Sequence, residues 1–145
     1  MVIINEHGEI IDIKNKHFPE ITSHGYPRDK ARDIILKSLS ELINYAVYHD
    51  VKYFVFEKLD NIKRRTSNRN ANRKITRFPY KTLLTHAKTM VKKRGGLSAI
   101  ISPAYTSIDA IPLARRLGLD IHTTSAYLLA LRYLNIRMST NAYEK

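Results

Sequence analysis

The sequence predicts an α/β fold with helices packed on a mixed sheet, and three observations carry that expectation. Two short β-branched runs flank a Gly-containing turn at the start of the chain: VII, then NEHG, then EIIDI. Two further apolar runs, VKYFVFEKL and LSAIIS, have the length and composition of buried strands. Segments with helical spacing separate and follow them, so the order is hairpin, helix, strand, helix, strand, helix. Right-handed crossovers would make the strands around Phe54 and Ile100 parallel neighbours.

Taken in order, the hairpin comes first and is followed from Lys14 to Pro27 by loop chemistry, with His17, Pro19, His24 and Gly25. Ile35, Leu39, Leu42, Ile43, Ala46 and Val47 then recur at helical spacing, which predicts an amphipathic helix from about Arg28 to Tyr48. The next strand ends in Glu57. Beyond it, residues 58–79 form the most basic stretch, with Lys and Arg among Asn and Ser and almost no apolar period, which reads as a loop or mobile arm. Leu83, Leu84, Ala87, Met90 and Val91 mark a second amphipathic helix. It stops at Gly95 and Gly96, with Lys92, Lys93 and Arg94 complementing its negative end. After LSAIIS a short helix is expected around Ala110 to Leu117, and a last one from about Thr123 to Asn135. The tail from Arg137 onward is expected to fray.

With 145 residues, one domain spanning 1–145 can bury a core without metals or disulfides as staples. Cysteine is absent, which excludes disulfides, thiolate zinc sites and cysteine nucleophiles. No apolar run approaches the roughly 20 residues needed to span a bilayer, and the N-terminus lacks the pattern of a signal peptide, so a cytoplasmic protein without membrane contact is expected. The net charge of +12 suits a polyanionic partner, and in the cytoplasm that points to DNA or RNA. A basic surface kept for solubility is the plainer alternative. Lack of Cys, Trp and Gln beside abundant Ile, Lys and Arg suits a thermophile.

In a parallel sheet, functional groups gather where strands end and helix N-termini open. Glu57 closes one such strand, the turn PAYTS closes the next, and Asp120 precedes the last helix. Two carboxylates converging there in a basic protein fit Mg²⁺, which takes carboxylate and phosphate oxygens while keeping several waters. Each residue also has a structural reading. Asp120 suits a helix N-cap, Glu57 could pair with Arg64 or Arg65, and His122 suits a hydrogen-bonding role at the helix start. Tyr105, Thr106 and Ser107 form a polar turn of the type that can hold a phosphate, although such turns are common. Lys63, Arg64, Arg65, Arg69, Arg73 and Lys74 supply charge for a salt-dependent grip on a nucleic-acid backbone.

These motifs, in this order and spacing, resemble the nuclease half of the TnpB (OrfB) proteins of insertion sequences. FVFEKLDNIK is similar to that family's second acidic motif, and RRTSNRNANRKITRFPYKTLLTHAKTMVKKRGG to its basic loop and following helix. LSAIISPAYTS is similar to its next strand and turn, and LDIHTTSAYLLALRYL to its third acidic motif. The resemblance runs from the first hairpin to Asn135. It implies a RuvC-like domain of the ribonuclease H fold, an RNA-guided and Mg²⁺-dependent DNA endonuclease active in transposition and recombination, and metal-binding roles for Glu57 and Asp120.

Two departures shape the expectation. Where many family members carry a four-cysteine zinc ribbon, this chain has only IDAIPLARRLG, so zinc is not expected. The family's first catalytic Asp lies on a strand before the equivalent of VIINEHGEII; neither Asp12 nor Asp109 occupies that place. The resemblance therefore implies a truncated domain with an incomplete triad, which retains nucleic-acid binding through its basic loop and for which cleavage is an open question. The absent strand would leave a sheet edge uncovered, and a homodimer through that edge is expected.

Overall fold

A computed structural model describes residues 1–58 and 80–143, and side chains within those limits except at Thr22, Tyr80, Ser107 and Tyr143. The basic stretch carrying Lys63, Arg64, Arg65, Arg69, Arg73 and Lys74 lies outside the described residues. The elements are β1 (Val2–Ile4), β2 (Ile10–Ile13), a 3₁₀ turn (Pro19–Thr22), α1 (Arg28–Tyr48), β3 (Tyr53–Glu57), α2 (Tyr80–Lys93), β4 (Leu97–Ile101), α3 (Thr106–Leu117) and α4 (Ile121–Tyr143). The class is α/β, as the sequence predicts.

The hairpin is organised by Asn5. Its side-chain oxygen accepts from the backbone N–H of His7 and of Glu9, each at 3.0 Å, so one amide satisfies two donors of the turn. Gly8 has φ 79°, and a Cβ there would stand 2.9 Å from Leu131 Cδ2 on α4. The Tyr127 hydroxyl donates to the Gly8 carbonyl at 2.7 Å, which pins the turn to the same helix.

β3 and β4 are parallel in the register Phe54↔Ser98 and Phe56↔Ile100, as the crossover rule requires. Phe54 belongs to the core with Ile3 of β1, Ile43 and Ala46 of α1, and Ala87 and Val91 of α2. Tyr53, one residue earlier and so on the opposite face, lies against Tyr133 of α4 and beneath the Arg137 guanidinium at 3.6 Å. The strands thus form a middle layer between α1 and α2 on one side and α4 on the other, with α3 packed on α4.

The strands divide into two separate two-stranded sheets, antiparallel β1–β2 and parallel β3–β4, where the sequence predicts one mixed sheet. Leu97 N donates to Lys52 O and Lys58 N to Ile101 O, so by parallel alternation Tyr53, Val55 and Glu57 turn their backbone groups to the edge away from β4. Among the described residues no strand pairs with that edge, nor with the edge of β1 away from β2.

α1 has the predicted limits. α3 begins at Thr106, before the expected Ala110, and carries Pro112 inside it. α4 continues to Tyr143, against the fraying expected from Arg137. Ser139 and Thr140 donate their hydroxyls to the carbonyls of Asn135 and Ile136, and Arg137 stacks on Tyr53, beyond which residues 138–142 are exposed.

Gly8→Ala combines left-handed backbone with a clash and is expected to lower stability by about 2–4 kcal/mol in urea unfolding. Gly25 has φ 81° with nothing within 4 Å of a Cβ, so Gly25→Ala should cost only about 1–2 kcal/mol. Equal losses would show that Leu131 does not restrict the turn.

Candidate functional site

An open cavity of about 550 Å³ lies where the carboxyl end of β3 meets the start of α4. Its floor is apolar, with Leu39 and Leu42 of α1, Phe56 of β3, and Leu83, Leu84 and Ala87 of α2. Its polar lining includes Asn15, Lys16, His17, Glu57, Asp120 and His122. Glu57 and Asp120, distant in sequence, therefore line one cavity. Glu57 is exposed at the end of β3, and the parallel register brings the PAYTS turn after β4 to the same sheet edge.

Asp120 is the N-cap of α4. Its Oδ1 accepts from the Thr123 N–H at 2.9 Å, and Thr124 donates its hydroxyl to the Asp120 carbonyl at 2.8 Å. The Thr123 hydroxyl and backbone N–H hold the Asp120 carboxyl below its ordinary range, because both stabilise the charged form. The network continues across the fold. Asn15 Nδ2 donates to the Thr123 hydroxyl at 3.0 Å, and the Met1 ammonium donates to Asn15 Oδ1 at 3.3 Å. That ammonium is lowered from the ordinary amine range by burial, an effect partly opposed by the charge of Asp120.

The other candidates separate. Thr106 is buried, and its hydroxyl donates to the Pro103 carbonyl at 2.8 Å, so that group serves the turn. Tyr105 has φ 64° and is 74% exposed, leaving its ring free for an external contact. The side chain of Ser107 is outside the described set. Asp12 accepts from the Tyr45 hydroxyl and the Ile13 N–H, and Asp109 pairs with Arg132 at 3.4 Å, so both are committed elsewhere. Among the described residues, no three His, Asp or Glu side chains gather where they could hold a metal ion.

Sequence reasoning passed over Asn15, Lys16 and His17 in the cavity lining, and Arg132. The Arg132 guanidinium donates to the carbonyls of Ala104 at 2.7 Å and Ser102 at 3.3 Å, tying the PAYTS turn to α4. The one available signal was position, since residues directly after β2 emerge at the same end of the middle layer.

Because the native Asp120 carboxyl is held low, its contribution to stability is fully present above the ordinary Asp range and is lost as pH falls through the lowered native value. Asp120→Asn keeps a neutral acceptor and should flatten that acid-side dependence, whereas Asp120→Ala should lower the melting temperature by a few degrees at neutral pH. Denaturation across acidic pH checks both; an unchanged acid slope in Asp120→Asn would contradict the cap.

No family model matches the chain. It is similar to an uncharacterized protein of Saccharolobus solfataricus, 34% identical over 140 residues, which cover 94% of this chain and 38% of that protein. It is also similar to two uncharacterized proteins of Aeropyrum pernix, each 27% identical over 147 residues and 91% of this chain, covering 38% and 34% of their lengths. The chain thus spans less than two-fifths of each relative. No solved structure matches. Among the described residues, no helix is long and apolar enough to cross a membrane.

Proposed function

We propose that the chain is the RuvC-like, ribonuclease H-fold portion of a TnpB-type transposon protein, acting in the cytoplasm on DNA or RNA. The observation that carries this reading is the convergence of Glu57 and Asp120 on one cavity, at the carboxyl edge of a parallel strand pair. Those were the two carboxylates that the resemblance assigned to metal.

The donor set fits Mg²⁺, which is commonly held by one or two carboxylates together with substrate phosphates. Glu57 would hold it through an exposed carboxylate, and Asp120 through a carboxylate that also accepts from the Thr123 hydroxyl and N–H. When bound, Mg²⁺ would stabilise charge on the phosphate oxygens during phosphodiester hydrolysis, in which water adds across a P–O bond. The chain's own residues would position the polymer: the basic segment at Lys63, Arg64, Arg65, Arg69, Arg73 and Lys74 would neutralise phosphates, and the exposed Tyr105 ring would meet the polymer at a turn that Thr106 braces from within.

A second reading is a nucleic-acid-binding remnant without cleavage. It is favoured by the engagement of Asp120 as a helix cap. The edges of β1 and β3, with which no strand among the described residues pairs, support the proposal of a homodimer formed by strand addition.

A cleavage assay on labelled single- and double-stranded DNA with Mg²⁺ or Mn²⁺ tests the first reading. Cleavage should fall at least about 100-fold in both Glu57→Gln and Asp120→Asn. No cleavage by any of the three proteins, with binding intact, would establish the second reading. Light scattering at high protein concentration should return about twice the 16.8 kDa chain mass; a monomer would refute the dimer.

A further inference from the structure

α2 carries cations and no acid: Lys81, Lys88, Lys92 and Lys93, with Arg94 just beyond it. Its neighbour α1 mixes signs, with Asp29, Asp33 and Glu41 among Arg28, Lys30, Arg32 and Lys37. Three of the α2 lysines fall into register. Steps of seven and eleven residues return a helix to within about 20° of its starting direction, so Lys81, Lys88 and Lys92 form one row about 16 Å long. All three are exposed, and among the described residues none has a salt-bridge partner. Lys93 lies about 100° around the helix from Lys92 and stands outside the row.

The apolar face of α2 fixes where this row goes. Ala87 and Val91 are buried in the core, and Leu83, Leu84 and Ala87 line the cavity that holds Glu57 and Asp120. Leu83 and Leu84 lie about 160° and 60° around the helix from Lys81, so the row starts level with the cavity along the helix axis, on the flank of α2 beside its apolar face, and runs away from that end. Thr85 and Thr89, which flank the row, spend their hydroxyls on the carbonyls of Lys81 and Thr85. Charge is therefore what this face offers, in a line and unneutralised.

We infer that Lys81, Lys88 and Lys92 form a phosphate-binding rail that holds a nucleic-acid backbone along α2, its start level with the Glu57–Asp120 cavity. The inference rests on the nucleic-acid reading above and assigns it a surface independent of the basic segment. Contacts of this type add affinity without reading sequence, and each neutralised phosphate steepens the salt dependence by about 0.9 in log K against log salt for duplex DNA.

The test is equilibrium binding of the full chain to a short labelled DNA duplex across a salt series. The Lys81→Gln/Lys88→Gln/Lys92→Gln protein removes the row while keeping good helix formers, and Lys93→Gln and Arg115→Gln/Arg116→Gln serve as charge controls. The expected result is a slope reduced by about 2 to 3 in the row variant and by less than about 1 in either control. If the row variant binds with the slope of the parent, or if the controls lose as much per charge, the rail is refuted while nucleic-acid binding stands. If the parent chain does not bind the duplex or the corresponding single strands at low salt, the nucleic-acid reading itself fails. Circular dichroism and thermal melting establish that the variants are folded before slopes are compared.

Discussion

The parallel pairing of β3 with β4 is the constraint on which the rest of the arrangement depends. Parallel neighbours cannot be joined by a tight turn, so the chain leaves β3 at Glu57, crosses over and returns as α2 before entering β4. The crossover puts the apolar face of α2 against Phe54 and Ile3, and it sends the ends of both strands to one edge. At that edge Glu57 lines one cavity with Asp120 at the start of α4, while the PAYTS turn, level with Glu57 by register, is tied to Arg132 farther along the same helix. Gly96 marks how closely the return is packed: a Cβ there would stand 2.9 Å from Val91 Cγ1 and 3.0 Å from Phe54 Cε2.

A second interaction orients α4. The chain of hydrogen bonds from Met1 through Asn15 and Thr123 to Asp120 ties the exit of the hairpin to the helix start, using groups from both ends of the sequence. Its effect on Asp120 is two-sided. The carboxyl is held below its ordinary range, as suits a cation ligand, yet the groups that hold it there, the Thr123 hydroxyl and N–H, already engage it. The cap and the proposed metal site thus draw on one residue.

Much of this was legible in the sequence because it rests on local rules. α1 runs from Arg28 to Tyr48 as its apolar spacing dictates, with Pro27 in front where a helix tolerates it. Glu57 and Asp120 could be proposed as a pair because strand ends and helix starts meet in parallel sheets. The misreadings arise where distant residues decide. Beyond Asn135, α4 carries Arg137 onto Tyr53 across the fold, a contact between residues distant in sequence. Lys16 enters the cavity lining from a loop stapled by its 2.7 Å ion pair to Glu41 and by the neighbouring Asn15–Thr123 bond. No spacing within residues 14–27 encodes either partner. The split of the strands into two sheets is equally invisible to pattern, which reports that a strand exists and says nothing of its neighbours.

That split has a consequence for cooperativity. The β1–β2 hairpin and the β3–β4 pair share no ladder among the described residues; what joins them is side-chain packing around Ile3 and Phe54, and α4 lying across both. Packing yields in smaller steps than a continuous ladder of backbone bonds. The hairpin can therefore open as a local unit while α1, α2 and the parallel pair stay closed, with its protection against hydrogen exchange set by the Tyr127 and Asn15 tethers more than by the stability of the whole.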